Sequence, residues 1–300
     1  LVIGLLTGGV PVTAPASRHP ALGKLAVEHG AHVYMEKPFT VTLGEAEELV
    51  AAANRAGRLI CVGHSHAFES NALRLRERVA AGDLGEIVHI DSSMGYGLAG
   101  GFGSLFMRDP THWVHRLPGG VAQNNISHPL SLILPFLDDE KPAIQAIGRR
   151  VRSERYGDVR DEFFDEVRAT IVGRRVSATM MFSCRIRPVQ VAAVVFGSLG
   201  IAELSSGART LRLSMGSTLP GPFQKVDWAR RDALDARREY RRQRANLVRA
   251  RLHYFEGINN LFRQFFLATQ GKSELPIPMS DAVRVTAIID EITQRCRESA

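Results

Sequence analysis

The first 85 residues alternate short apolar runs with amphipathic stretches. The apolar runs predict buried strands at residues 1–6, 32–35 and 59–62. The amphipathic stretches predict helices at residues 20–29, 43–55 and 71–81, and a Pro-rich loop is expected at residues 10–17. Because strands and helices alternate, residues 1–84 are predicted to form an α/β domain with a parallel, doubly wound sheet.

Beyond Gly85 the pattern becomes that of strands that follow one another with few helices between them. Strands are predicted at residues 87–94, 144–151, 163–172, 176–182, 190–196, 200–204 and 210–214. This succession predicts a large, mostly antiparallel sheet. The C-terminal third returns to helical periodicity, with a last helix at residues 280–297 and Ser280 as its N-cap. Residues 85–300 are therefore expected to be a separate α+β domain with C-terminal helices.

The composition agrees with two globular domains and indicates the cellular compartment. The chain has 300 residues, of which 45% are hydrophobic, so it can bury a substantial core. Its three cysteines, Cys61, Cys184 and Cys296, form no Cys-x-x-Cys pair, which indicates a reduced, cytoplasmic protein. No apolar run of membrane-spanning length and no signal-peptide pattern is present, so no membrane association is expected.

The formal charge of +7 is concentrated in one segment, residues 229–251, which holds nine arginines against three acidic residues. Three interpretations fit this segment. In the first, it is a solvated helix in which Asp232, Asp235 and Glu239 pair with arginines. In the second, it is a surface that binds an acidic partner. In the third, it borders an oligomer interface. Charge runs are mostly solvated faces, and no aromatic-interleaved motif indicates nucleic-acid binding. We therefore expect no nucleic-acid partner.

The tripeptide Glu36-Lys37-Pro38 follows a predicted strand directly and precedes a helix. Open α/β sheets bind their ligands at the carboxyl ends of the strands, which is where Lys37 is placed. Pro38 disfavours the α region for Lys37, so the chain turns there. A lysine before proline is usually a solvated loop residue, and the alternative is a ligand-binding ammonium. His19 stands where the preceding helix begins.

A second candidate site follows the turn Gly119-Gly120. Asn124 and His128 are four residues apart on the expected helix, so their side chains are predicted to meet. An imidazole in a cleft can take up a proton near neutral pH. A histidine at the start of an apolar helix is, however, more often a hydrogen-bonded core residue.

The order of histidine, helix, glycine, strand, Glu-Lys-Pro and helix, together with the later Gly-Gly turn, resembles the Gfo/Idh/MocA family of NAD(P)-dependent sugar and polyol oxidoreductases. The resemblance implies a Rossmann-like sheet, NAD or NADP as cofactor, a sugar- or polyol-like substrate and a homo-oligomer. It also implies residue roles. The catalytic residues would be Lys37 and His128. The cofactor would be bound by Thr7, His19, Glu36, Lys37 and Pro38. The substrate would be bound by Lys37, Trp113, Asn124 and His128.

The chain also departs from the family pattern. Asn124 stands where the family has an aspartate that supports the histidine. The resemblance places residues 1–6 at the fourth strand, so the first three strands and the Gly-x-Gly-x-x-Gly pyrophosphate turn are expected to be missing. These departures predict weak cofactor binding and an unpaired edge on the first strand. They leave a second function open, that of a non-catalytic or inactive binding or scaffold protein with the same fold.

Other residues carry weaker signals. His64 and His66, and likewise His112 and His115, are spaced closely enough to suggest a metal, but no cysteine or carboxylate cluster completes a ligand set. We expect ordinary polar roles or cleft lining for them, and no metal. Trp113 has two interpretations, a platform for a sugar ring and a packed aromatic.

Overall fold

The computed structural model describes residues 2–5, 10–12, 18–97, 109, 111–151 and 164–299, the first two stretches by their backbone alone. Two sheets organise these residues. The first has four strands in the order β2-β1-β3-β4, and the second has seven in the order β11-β10-β9-β5-β8-β7-β6. This is the predicted combination of a Rossmann-like α/β sheet with a large, mostly antiparallel α+β sheet, so the fold class is confirmed. The domain boundary at residues 84 and 85 stays a prediction.

The first sheet is mixed rather than wholly parallel. Its strands are β1 Val2–Leu5, β2 Val10–Val12, β3 His32–Met35 and β4 Ile60–Val62. β3 and β4 pair in parallel, as expected, whereas β1 runs antiparallel to both β2 and β3. The expected parallel direction of the first strand was therefore wrong.

The strand β2 occupies part of the loop that was expected at residues 10–17. β2 folds back on β1, with Gly4 opposite Val10, and pairs with the edge that was expected to be open. Since β2 and β3 are both antiparallel to β1, they run in the same direction as each other. The connections from β2 to β3 and from β3 to β4 thus remain parallel crossovers through helices.

Three helices accompany this sheet: α1 His19–Glu28, α2 Leu43–Ala56 and α3 Ser70–Ala80. α2 begins with a capping box, in which Thr42 accepts from the Glu45 amide and Glu45 accepts from the Thr42 amide. It ends at Gly57, whose φ of +61° is a left-handed conformation that glycine adopts without strain. The buried face of α2 packs with β3 and β4 in one apolar cluster, which fixes the end of β3.

The second sheet contains the remaining strands. They are β5 Ile87–Gly95, β6 Ala143–Arg149, β7 Glu166–Val172, β8 Ser177–Ser183, β9 Gln190–Gly197, β10 Gly200–Ser205 and β11 Thr210–Met215. All neighbouring pairs are antiparallel except β5 and β8. Alternating burial along β7, β8 and β9 shows one face packed and one face open, which is the pattern that the sequence predicts.

Helices cover the packed face and join the two sheets. They are α4 Gly120–Asn125, α5 Ser127–Ile133, α6 Pro222–Val248, α7 Glu256–Thr269 and α8 Met279–Glu298. An Asp290 carboxylate oxygen on α8 accepts a hydrogen bond of 2.9 Å from the Leu43 amide at the start of α2. Ser280 lies inside α8, since the N-cap is Pro278 and makes no side-chain cap, so that capping prediction was wrong.

The arginine-rich segment lies largely within α6, a helix of 27 residues that packs on β11. Its buried residues are Asp227 and Glu239. Asp227 pairs with Arg231 at 2.7 Å, and Asp235 pairs with Arg238 at 2.8 Å. The segment is thus a largely exposed helix with internal ion pairs, as the first interpretation expects, although Asp227 rather than Asp232 supplies one partner. The acidic-partner and oligomer-interface interpretations stay predictions. Among the described residues no helix is long and apolar enough to cross a membrane.

Candidate functional site

Lys37 connects the first sheet to α4. β3 ends at Met35, and the next two residues carry Glu36 and Lys37 away from its carboxyl end. The Lys37 ammonium donates to the backbone carbonyl of Asn124 at 2.9 Å and to its side-chain Oδ1 at 3.2 Å. An ammonium has three N–H donors, and the third has no acceptor among the described residues. The Glu-Lys-Pro turn and the helix that follows the Gly-Gly turn are thus in direct contact.

Burial changes the proton affinity of both charged residues of the turn. Desolvation lowers the pKa of Lys37 to about 8, against a smaller opposing effect of the neighbouring Glu36 carboxylate. Desolvation likewise raises the pKa of Glu36, which the charge of Lys37 partly offsets. Glu36 is packed against Gly63, where a Cβ atom would lie 3.0 Å from a carboxylate oxygen. Because Gly63, directly after β4, has no side chain, the Glu36 carboxylate can occupy this space.

His128 lies in the second of two short helices, because the expected single helix breaks at Ile126. The side chain is buried, and its Nδ1 has no hydrogen-bond partner among the described residues. The expected contact between Asn124 and His128 is absent, since both oxygens of Asn124 accept from Lys37 instead. Burial first, and then the charges of Lys37, His66 and His64, hold the pKa of His128 well below its usual 6.5. The imidazole is therefore neutral at physiological pH.

Two further histidines complete the cluster around Lys37. His64 is 3% exposed, both of its ring nitrogens lack partners among the described residues, and burial lowers its pKa to about 4. The Nδ1 of His66 donates to a carboxylate oxygen of Glu69 at 2.8 Å, and the His66 ring centroid lies 4.7 Å from that of His128. Sequence reasoning assigned them only polar roles or cleft lining. The available signal was their position directly after β4, at the same sheet edge as Lys37.

A small cavity of about 10 Å³ lies beside these groups. It is lined by Pro38, Phe39, Thr40, His64, Gln123, Ser127, Val285, Thr286 and Ile289. A space of this size suits about one water molecule. Ser127 contributes a buried hydroxyl that has no partner among the described residues, as do the His64 nitrogens. The site thus contains several polar atoms whose hydrogen-bonding capacity is unused by the described chain.

The other predicted site residues are placed differently. His19 is buried, and its Nδ1 lies 3.2 Å from the Pro38 carbonyl oxygen, so it supports the Glu-Lys-Pro turn. Trp113 is partly buried, packs against the main core and lies with its ring centroid 5.4 Å from that of His112, which favours the packed aromatic. Thr7 lies outside the described residues. No group of three His, Cys, Asp or Glu side chains in the described ranges is arranged to hold a metal ion.

Comparison with known proteins gives two family matches that together extend over most of the chain. The oxidoreductase family with an NAD-binding Rossmann fold, Gfo/Idh/MocA, matches residues 9–64. The C-terminal domain of the same family matches residues 72–203. The first match contains Lys37, His64 and the strands β3 and β4. The second contains most of the large sheet and the helix α5, which carries His128.

Curated relatives match over shorter stretches. The oxidoreductase YdgJ of Escherichia coli is 41% identical over 83 residues, which are 28% of this chain and 24% of that protein. A 1-carboxy-3-chloro-3,4-dihydroxycyclohexa-1,5-diene dehydrogenase of Comamonas testosteroni is 34% identical over 41% of this chain and 30% of its own length. Inositol 2-dehydrogenase 3 of Saccharopolyspora erythraea is 27% identical over 76% of this chain and 63% of its own. The chain thus matches less than two thirds of each relative.

Solved structures agree with the fold over nearly the whole chain. The WlbA dehydrogenase of Bordetella pertussis, in complex with NADH and UDP-GlcNAcA, superposes with a TM-score of 0.73 at 16% identity, over 96% of this chain and 77% of that one. An inositol dehydrogenase homologue of Azotobacter vinelandii with NAD+ gives 0.71 at 19% identity, over 96% and 76%. At such identities the likeness shows the fold alone. With both family domains matched in order along the sequence, the chain belongs to the Gfo/Idh/MocA oxidoreductase family.

Proposed function

We propose that this chain carries the hydride-transfer site of an NAD(P)-dependent oxidoreductase that acts on a sugar, a polyol or a related hydroxy compound. The observation that carries the proposal is the Lys37 ammonium, held by Asn124 and placed where its charge acts on the neutral imidazole of His128. Family membership supports it, as does the 27% identity to an inositol 2-dehydrogenase.

The residues present fit a nicotinamide cofactor with an alcohol substrate. A bound nicotinamide supplies the hydride acceptor or donor. Alcohol oxidation also releases the hydroxyl proton, which requires a base. His128 is neutral and can accept that proton. Lys37 has an unused N–H that can donate to the hydroxyl oxygen and stabilise the charge that develops there. In the reverse direction His128 returns the proton to the carbonyl oxygen.

Each group depends on its environment for this chemistry. Because burial lowers the pKa of His128, the imidazole is unprotonated before the substrate binds. Because Lys37 has a pKa of about 8, it remains mostly charged at neutral pH. Glu36 and His19 support the turn, and they and Pro38 are the residues that we assign to the cofactor side of the site.

Titration of the full chain with NADH and with NADPH, followed by nicotinamide fluorescence, tests the proposal. Saturable binding that Lys37→Met weakens is expected, followed by oxidation of at least one compound in a panel of inositols and aldoses. Lys225→Met is the matched control, since it removes an exposed lysine on α6. A folded protein that binds neither nucleotide would contradict the proposal and favour the binding or scaffold function.

A further inference from the structure

The ring of His128 lacks the support that a proton-transfer group ordinarily has. No hydrogen bond from the described residues reaches either ring nitrogen, and Nδ1 is buried without a partner. The side chain that was expected to hold it, Asn124, is engaged by Lys37. Ser131 accepts nothing from the ring and donates only to the His128 backbone carbonyl, at 2.7 Å. The orientation of the imidazole must therefore come from packing.

The ring of His66 provides that packing. Its centroid lies 4.7 Å from the centroid of His128, and the two planes meet at 81°, an edge-to-face arrangement. His66 belongs to a short 3-10 helix, Ser65–Phe68, that contacts both α5 and α7. The backbone that carries the His66 ring is thus fixed against the helix that carries His128.

Glu69 holds His66 in turn. One of its carboxylate oxygens lies 2.8 Å from Nδ1 of His66, and the two side chains are only 14% and 25% exposed. A carboxylate can only accept, so Nδ1 of His66 carries the proton, and its tautomer and ring orientation are fixed. The arrangement has the form of a carboxylate-oriented imidazole, as in other sites where an outer carboxylate aligns a functional histidine.

We propose that His66, held by Glu69, is a positioning residue that fixes the imidazole of His128 for proton transfer. This inference rests on the proposed function for its consequence in catalysis, but not for the contact itself. In this chain Glu69 and His66 would orient the His128 ring through a ring contact. In the family, the aspartate at the position of Asn124 would orient it. The competing explanation is that the pair merely stabilises the 3-10 helix.

Histidine-labelled full-length protein allows the contact to be tested by NMR without any substrate. The chain has ten histidines, and the signals of His128 are those that disappear in His128→Gln. In the unaltered chain and in His66→Phe, which keeps an aromatic ring, one sharp set of His128 signals is expected. In His66→Ala the signals should broaden or double. Unchanged His128 signals in a folded His66→Ala protein would overturn the proposal.

Kinetics add a readout that a purely structural role would not give. His66→Ala should lower kcat by about 10- to 100-fold, since small misplacements of a reacting group have effects of this size, and leave KM nearly unchanged. His66→Phe should restore most of the rate, and Glu69→Ala should lie between the two. If no substrate is turned over, the proposed function fails while the NMR result still decides the positioning role. An equal loss in both His66 variants would contradict it.

Discussion

The cleft around Lys37 and the helix α6 use charge in opposite ways. α6 carries many arginines, and they are exposed on its surface or paired with carboxylates of the same helix, such as Arg238 with Asp235. The cleft contains a single ammonium, but it is desolvated and surrounded by buried imidazoles. Exposed ion pairs contribute little to stability. A buried charge, in contrast, shifts its own pKa and those of its neighbours, and groups with shifted pKa values are typical of functional sites. This contrast supports placing the proposed functional site at the lone lysine rather than at the arginine run.

The largest expected effect tests the cleft. Lys37→Met should lower kcat by about 10²–10⁴-fold, because it removes the donor to the reacting oxygen. The free energy of unfolding should not fall, because the substitution also removes a buried charge. Steady-state kinetics and denaturant unfolding measure the two quantities, with Lys225→Met as the control. A large loss of stability in Lys37→Met would show that the ammonium is structural.

The next effect concerns the buried carboxylate by which α6 is anchored. Glu239 pairs with Arg74 at 2.7 Å and is 5% exposed. Glu239→Ala leaves the Arg74 charge without this partner, so it should lower the free energy of unfolding by about 3 kcal/mol, as measured by denaturant unfolding. Asp232→Ala, at an exposed position of the same helix, is the control and should change it little. Equal effects would contradict the distinction between paired buried charge and solvated charge.

A third prediction concerns pH. Lys37 loses its proton above a pKa of about 8, so the rate should decline as the pH rises through that value. Asn124→Asp places a carboxylate beside the ammonium, which favours the charged form, and should move this decline to higher pH. The dependence of kcat/KM on pH measures the shift. Asn124→Ala is the control without added charge, and it keeps the backbone carbonyl that accepts at 2.9 Å.

The lowered pKa of Lys37 also predicts how the free energy of unfolding depends on pH. The pKa of Lys37 is lower in the folded chain than its usual 10.5, so between about 8 and 10.5 the unfolded chain binds more protons. The contribution of this group to the free energy of unfolding should therefore increase with pH in that window. Comparison of the unaltered chain with Lys37→Met by denaturant unfolding isolates it. Parallel pH dependences in the two proteins would contradict the lowered pKa.

The smallest effect is expected on the surface of α6. Replacing Arg237 and Arg241 by glutamine should change the free energy of unfolding by less than about 0.5 kcal/mol and leave kcat/KM unchanged. Affinity for DNA should be absent or equally weak in both proteins at physiological salt. DNA binding that falls steeply with salt and with these substitutions would instead favour an acidic partner for α6.

Sequence reasoning predicted much of this fold because most elements have strong local signals. The strands of the large sheet, from β6 to β11, lie within a few residues of their predicted bounds, since alternating apolar positions on one buried face specify them. The direction of β1 was not predictable in this way. An apolar run specifies a buried strand, but which neighbour it meets depends on contacts far along the chain, and the short β2 carries too few residues for a clear pattern.

The geometry of the candidate site was also predictable only in part. Lys37 and His128 follow from motifs, and the structure brings them together. The contact of Asn124 with Lys37 depends on how α4 meets the end of β3, and the helix break at Ile126 removes the simple four-residue spacing that would have joined Asn124 to His128. His66 and Glu69 interact with each other locally, but their relation to His128 is tertiary and has no signature in sequence.

The most direct test of the account is the titration of the Lys37 ammonium by NMR of the full chain with labelled lysine side chains. The signal is identified by its loss in Lys37→Met, and the chain has only five lysines. A midpoint near 8 is expected, as burial between β3 and α4 requires. A midpoint at the usual value of about 10.5 would mean that Lys37 is solvated, and that the charge in the cleft is no more desolvated than the charges of the arginine helix.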